Sequence, residues 1–160
     1  MKLLAAVFLC LCSAVAARAD EAAQCAANAG SYLTGKVISG PRFVSGHPRR
    51  GVELSHTHLR LVSDQDGQSY DVAIDNVFAD GYDEAGERVP APLSSIHVGD
   101  RLALCGQLYA QGGPGIHFVH TNCGDRPSAN DPDGWLKVVA GDGGSGPNLE
   151  DSREYCGLWP

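Results

Sequence analysis

The chain has 160 residues, a net charge of −7 and six cysteines. That length suits one domain with a real hydrophobic core and leaves too little for two. The acidic balance argues against a general nucleic-acid binder, which carries excess positive charge.

Lys2, the apolar run Leu3 to Val15 and the small-x-small triplet Ala17-Arg18-Ala19 predict a signal peptide over residues 1–19, cleaved after Ala19. The expectation is a periplasmic or secreted protein beginning at Asp20. The apolar run is too short for a membrane span, and nothing downstream approaches the ~20 apolar residues required. Cys10 and Cys12 follow Leu9 and Leu11 where a lipoprotein site wants a small residue. Past the signal, ten basic residues face 19 acidic ones. Cys25, Cys105, Cys123 and Cys156 remain, and four cysteines in an exported chain predict two disulfides, with three pairings open. Buried free thiols are the plain alternative. No two cysteines have the close spacing of a zinc knuckle.

Residues 20–30 form an N-terminal segment, and alternation of apolar and polar residues then marks strands. Tyr32 to Ser39 is the first. His56 to Ser63 is the second, with Leu59 and Leu61 on one face and His56, His58 and Arg60 on the other. Asp64-Gln65-Asp66-Gly67 is a hairpin turn signal leading into Ser69 to Asp75, which buries Tyr70, Val72 and Ile74. Pro90, Pro92 and the glycines between Asn76 and Val98 predict a connection with a short helix or none. Arg101 to Tyr109, the Gly112-Gly113-Pro114-Gly115 turn and Ile116 to Cys123 make a second hairpin. Trp135 to Val139 is a sixth strand or packed extension, Gly141 to Pro147 reads as flexible linker, and Cys156 ties the tail back.

Two hairpins, a first strand and a long connection between the third and fourth strands predict an all-β fold. It is a five-stranded OB-like Greek-key barrel over residues 31–139, with a linker and tethered tail over 140–160. Another small Greek-key barrel or sandwich would give a similar pattern. If Leu108 faces Ile116 in the second hairpin, Cys105 stands four residues from the position facing Cys123. At ~3.4 Å per residue that exceeds ~13 Å, beyond a disulfide's reach. The register therefore favours Cys25 with Cys105 and Cys123 with Cys156.

Three groups of residues carry possible chemistry. Residues two apart on a strand share a face, so His56 and His58 can converge on one ligand. His117 and His120 are three apart and point oppositely unless a bulge intervenes, so only one of them joins the pair. Three histidines, His56, His58 and His117, completed by Asp71 or Asp75, would suit zinc or copper. As readily, they are polar outer-face residues with one packed histidine.

The second group is the loop Gly40 to Gly51, with Arg42, Phe43, His47, Arg49 and Arg50. With Lys36 and Arg60 it holds five of the ten basic residues past the signal. OB-type barrels bind ligands on the second and third strands and the loop joining the first two. Arg42, Phe43, Arg49, Arg50 and Arg60 are therefore candidate contacts for an anionic polymer or a phosphate-bearing ligand. Charges that only aid solubility would look the same.

The third group, Asp80, Asp83, Glu84 and Glu87, lacks the ligand spacing of an EF-hand. No catalytic triad is legible: Ser55 beside His56 lacks a nucleophile elbow, and strand neighbours point apart.

His56, Ile74-Asp75-Asn76, Gly99-Asp100, Gly106 with Tyr109, Gly113 through Ile116-His117, His120 and Gly134-Trp135-Leu136 together resemble a known pattern. From about Gly35 to Val139 the chain is similar to exported bacterial proteins grouped as domain-of-unknown-function family 3465. That resemblance implies an OB-like fold and export, and gathers His56, His117 and His120 as motif residues. It brings no activity. Members carry Trp-Thr where this chain has Phe118-Val119, and His-Asp-Pro where it has Thr121-Asn122-Cys123.

The leading expectation is a binding module, not an enzyme, whose second-strand face and Arg42 to Arg50 loop engage an anionic ligand or another exported protein. A zinc-dependent hydrolase built on the strand histidines, with Asp75 as base, is the alternative. A structural or inhibitory partner protein is the third.

Overall fold

The computed structural model describes residues 20–124 and 126–159. The expected signal peptide lies outside them. Residues 20–27 form helix α1. The strands are β1 (Ser31–Val44), β2 (Pro48–Arg49), β3 (Val52–Glu53), β4 (His56–Ser63), β5 (Ser69–Asp75), β6 (Arg101–Tyr109), β7 (Gly115–His117) and β8 (Trp135–Val139). Two four-residue helices, α2 (Tyr82–Ala85) and α3 (Ala91–Ser94), sit between β5 and β6. The connection there stays short-pitched, as its prolines and glycines require.

Five strands close a barrel in the order β1-β4-β5-β7-β6, and β6 pairs back to β1. All these pairings are antiparallel except β5 with β7. This is the expected small OB-like barrel, with β8 added outside on β6. Strand β1 runs longer than its alternation indicates because it serves two neighbours. Its first half pairs with β6 and its second with β4, across register shifts at Val37/Ser39 and Ser39/Arg42. Such irregularities bend a strand around a barrel.

The inward positions are Leu33 and Val37, Leu59 and Leu61, Val72 and Ile74, Leu102 and Leu104, and Ile116, all buried. Full burial of each contributes roughly 1.5–3 kcal/mol. On β4 burial alternates residue by residue, which leaves His56, His58 and Arg60 on the outer face. Tyr70, expected inside, is only half-buried and donates its hydroxyl to Asp66 in the preceding turn.

Both disulfides follow the register argument. Leu108 faces Ile116, and the bonds are Cys25–Cys105 and Cys123–Cys156. The first ties α1 to β6, and the second ties the tail to the segment after β7.

Two expectations need correction. Strand β7 does not reach Cys123. Phe118 takes φ +52°, a left-handed conformation that ends the strand's alternation at His117. Nor is Gly141 to Pro147 a free linker. Ser145 bridges Val139, and Gly146 donates its N–H to the Val138 carbonyl at 2.8 Å, so the segment doubles back along β8.

Candidate functional site

The outer face of β4 and β5 carries two histidine–aspartate pairs. His56 stands opposite Asp75 across the strands, and its Nε2 lies 2.7 Å from Asp75 Oδ1. His58 reaches diagonally to Asp71, with Nδ1 at 3.0 and 3.2 Å from the two carboxylate oxygens. The two rings are 6.3 Å apart and tilted. Two-residue spacing on a strand produces this arrangement directly.

The His58 pair belongs to an open, cationic surface. Arg42 faces His58 across β1 and β4, and Arg60 follows on β4. With Ser39, Gly40, Leu59 and Asp71 they line a pocket of about 340 Å³. Arg60 donates to Ser69 Oγ, whereas Arg42 has no hydrogen-bond or ion-pair partner among the described residues. Tyr109 donates its hydroxyl to Asp71 Oδ2 at 2.7 Å. Its ring lies over Gly115, where an added Cβ would fall 2.1 Å from the ring, so only glycine lets Tyr109 reach across β7. The bonds from His58 and Tyr109 outweigh desolvation and hold the Asp71 carboxyl below its usual range. Desolvation and the Asp71 bond push the Tyr109 hydroxyl upward.

The His56 pair belongs to an aromatic pocket of about 310 Å³. His56, Asp75, His120, Asn122, Asn130 and Asp131 supply its polar groups, and Phe78, Phe118 and Trp159 its rings. His120 is buried and stacks on Phe78 at 3.7 Å. Its Nδ1–H donates to the Thr121 carbonyl at 2.8 Å, and its Nε2 lies 3.3 Å from Asp75 Oδ2. Asp75 is desolvated, yet the bonds from His120 and His56 hold its carboxyl far below the ordinary range. The Asp75 bond raises the His56 imidazole in turn.

The expected metal set is not gathered at one point. His56 turns to Asp75, His58 turns to Asp71, and His117 bonds Gln107 Oε1 at 2.6 Å. Burial, the largest influence on it, pushes the His117 imidazole below its ordinary value. Among the described residues no three His, Cys, Asp or Glu side chains are placed to share one ion. His120, and not His117, joins Asp75, because the left-handed Phe118 resets the alternation between them.

The arginine loop divides as well. Pro48–Arg49 and Val52–Glu53 pair as a hairpin whose turn residues, Arg50 and Gly51, have φ of +50° and +87°. Two positive φ values are the mark of a type I′ turn. Its tip reaches the tail: Arg49 stands over the Trp159 ring at 5.4 Å, and Arg50 Nη1 donates to the Gly157 carbonyl at 2.9 Å. Arg42 and Arg60 are thus left facing the His58 pocket. Phe43 lies opposite the inward-facing Thr57 and is half-buried.

Asp71, Phe78 and Trp159 complete the two pockets, and Tyr109 fixes Asp71 from outside them. Asp71 is foreshadowed by its place on β5, but nothing local marks Trp159 except the nearby Cys156. The acidic loop is partly used in packing, since Asp83 accepts a hydrogen bond from Tyr155. No protein-family model matches the chain, and no curated protein matches it.

Proposed function

We propose that this protein is an exported binding module for an anionic ligand, with the outer face of β4 and β5 as its binding surface. Two disulfides support export, because such bonds persist in oxidising compartments. No described helix is long and apolar enough to cross a membrane. The observation that carries the reading is the convergence of Arg42 and Arg60 on the His58 pocket. Arginine forks recognise phosphate or sulfate groups, and local charge at a concave site outweighs net charge at contact distance.

Salt-dependent binding tests this. For a short single-stranded DNA, each phosphate contact contributes about 0.7 to the slope of log affinity against log salt. Arg42→Ala with Arg60→Ala should weaken binding to this DNA and to a heparin oligosaccharide, and should flatten the slope by roughly 1.4. Binding to both polyanions with unchanged affinity and slope in the double variant, or no binding by the natural chain, contradicts the reading.

A further inference from the structure

We infer that the paired histidines make this face a ribonuclease site, cleaving a short RNA by transfer of the phosphoryl group to its own 2′-hydroxyl. The inference rests on the anionic-ligand reading and gives that surface a substrate class.

The geometry supplies each part. His58 is bonded through Nδ1 to Asp71, which Tyr109 fixes in turn, so Nε2 is the nitrogen left to act as base. A base oriented by a carboxylate that is itself held in place is the arrangement general-base catalysis requires. His56 is bonded to Asp75 through Nε2, which favours its charged form and leaves the Nδ1 proton to donate. Neither His58 Nε2 nor His56 Nδ1 has a partner among the described residues. The two ring centroids lie 6.3 Å apart, close enough for both histidines to serve one phosphoryl group. Arg42 and Arg60 line the His58 pocket for the non-bridging oxygens, and Phe118 and Trp159 line the adjoining pocket that would take a base.

In the step, His58 Nε2 takes the 2′-hydroxyl proton while the 2′-oxygen bonds to phosphorus. The bond from phosphorus to the 5′-oxygen breaks, and that oxygen takes the proton from His56 Nδ1. The products are a 2′,3′-cyclic phosphate and a 5′-hydroxyl, with His58 charged and His56 neutral until they exchange protons with water.

Magnitudes select RNA over DNA. Each acid or base contributes about 10²–10⁴-fold, whereas a nucleophile carried by the substrate adds an effective molarity of 10⁵ or more. DNA lacks that hydroxyl and should bind uncut.

The test uses the purified protein with a fluorescent oligoribonucleotide and its 2′-deoxy counterpart. The expected result is RNA cut to cyclic-phosphate ends and DNA bound intact. His56→Asn and His58→Asn should each lower cleavage at least ~100-fold. DNA binding without RNA cleavage overturns the inference and spares the binding reading. Cleavage that survives both substitutions also overturns it, and failure to bind any polyanion ends both.

Discussion

The two ends of the β4–β5 face use the same pair of residue types for different surroundings. Around His58 the pair is open, fixed by Tyr109 and flanked by arginines. Around His56 it adjoins aromatic rings, among them Trp159 of the tail, and shares its carboxylate with His120. The strand register decides where the histidines stand. What packs over them decides what each can do.

The tail packs at the His56 pocket and not at the His58 pocket, so removing its anchor should give the largest effect. Cys123–Cys156 closes a sequence separation of 33 residues, and loop entropy places its contribution at about 3–4 kcal/mol. Cys123→Ser with Cys156→Ser should lower the urea midpoint accordingly and expose Trp159 in fluorescence. It should leave the His58–Asp71 hydrogen bond intact by imidazole ¹⁵N NMR. Equal loss at both ends would break the comparison.

A smaller effect, growing with pH, should come from Glu150, which is fully buried with neither carboxylate oxygen hydrogen-bonded. Desolvation, with Asp75 and Asp151 nearby, raises its pKa well above 4.5, so the folded protein keeps it protonated. The unfolded chain ionises it near 4.5, so its contribution is fully present below that value. It is lost as pH rises toward the folded pKa, by up to about 1.4 kcal/mol per pH unit. Glu150→Gln should flatten the decline of Tm between pH 5 and 8 and raise Tm at neutral pH. Parallel curves for the two proteins would show that Glu150 does not titrate in this way.

The smallest effect belongs to the cation over Trp159. Arg49→Ala removes a contact worth roughly 0.5–1 kcal/mol at an exposed site. It should loosen the tail, read as faster amide exchange at residues 157–159, without moving the His58 resonances. Shifts at His58 would mean that the two ends are coupled.

The barrel was legible because alternation is a local signal. His56–Ser63, Ser69–Asp75, Arg101–Tyr109 and Trp135–Val139 have the strand limits that their patterns predict. The register of one hairpin spoke against a Cys105–Cys123 bond, one of the three possible pairings, and the observed bonds agree. The site was only half legible, because pairing choices between side chains are not local. His56 and His58 share a face as expected, yet each takes a different aspartate. Phe118 carries no glycine-like signal for its left-handed backbone, so the place of His120 beside Asp75 was hidden. Arg49 and Arg50 read as ligand contacts until the tail, distant in sequence, came to rest against them.

That division of the arginines is the most direct handle on the binding surface. DNA affinity at low salt should be measured for two double variants, Arg42→Ala with Arg60→Ala and Arg49→Ala with Arg50→Ala. The first should weaken binding about tenfold or more, as expected for losing two charge-assisted contacts, and the second by less than about threefold. The reverse order, or equal losses, would contradict placement of the anion site beside His58.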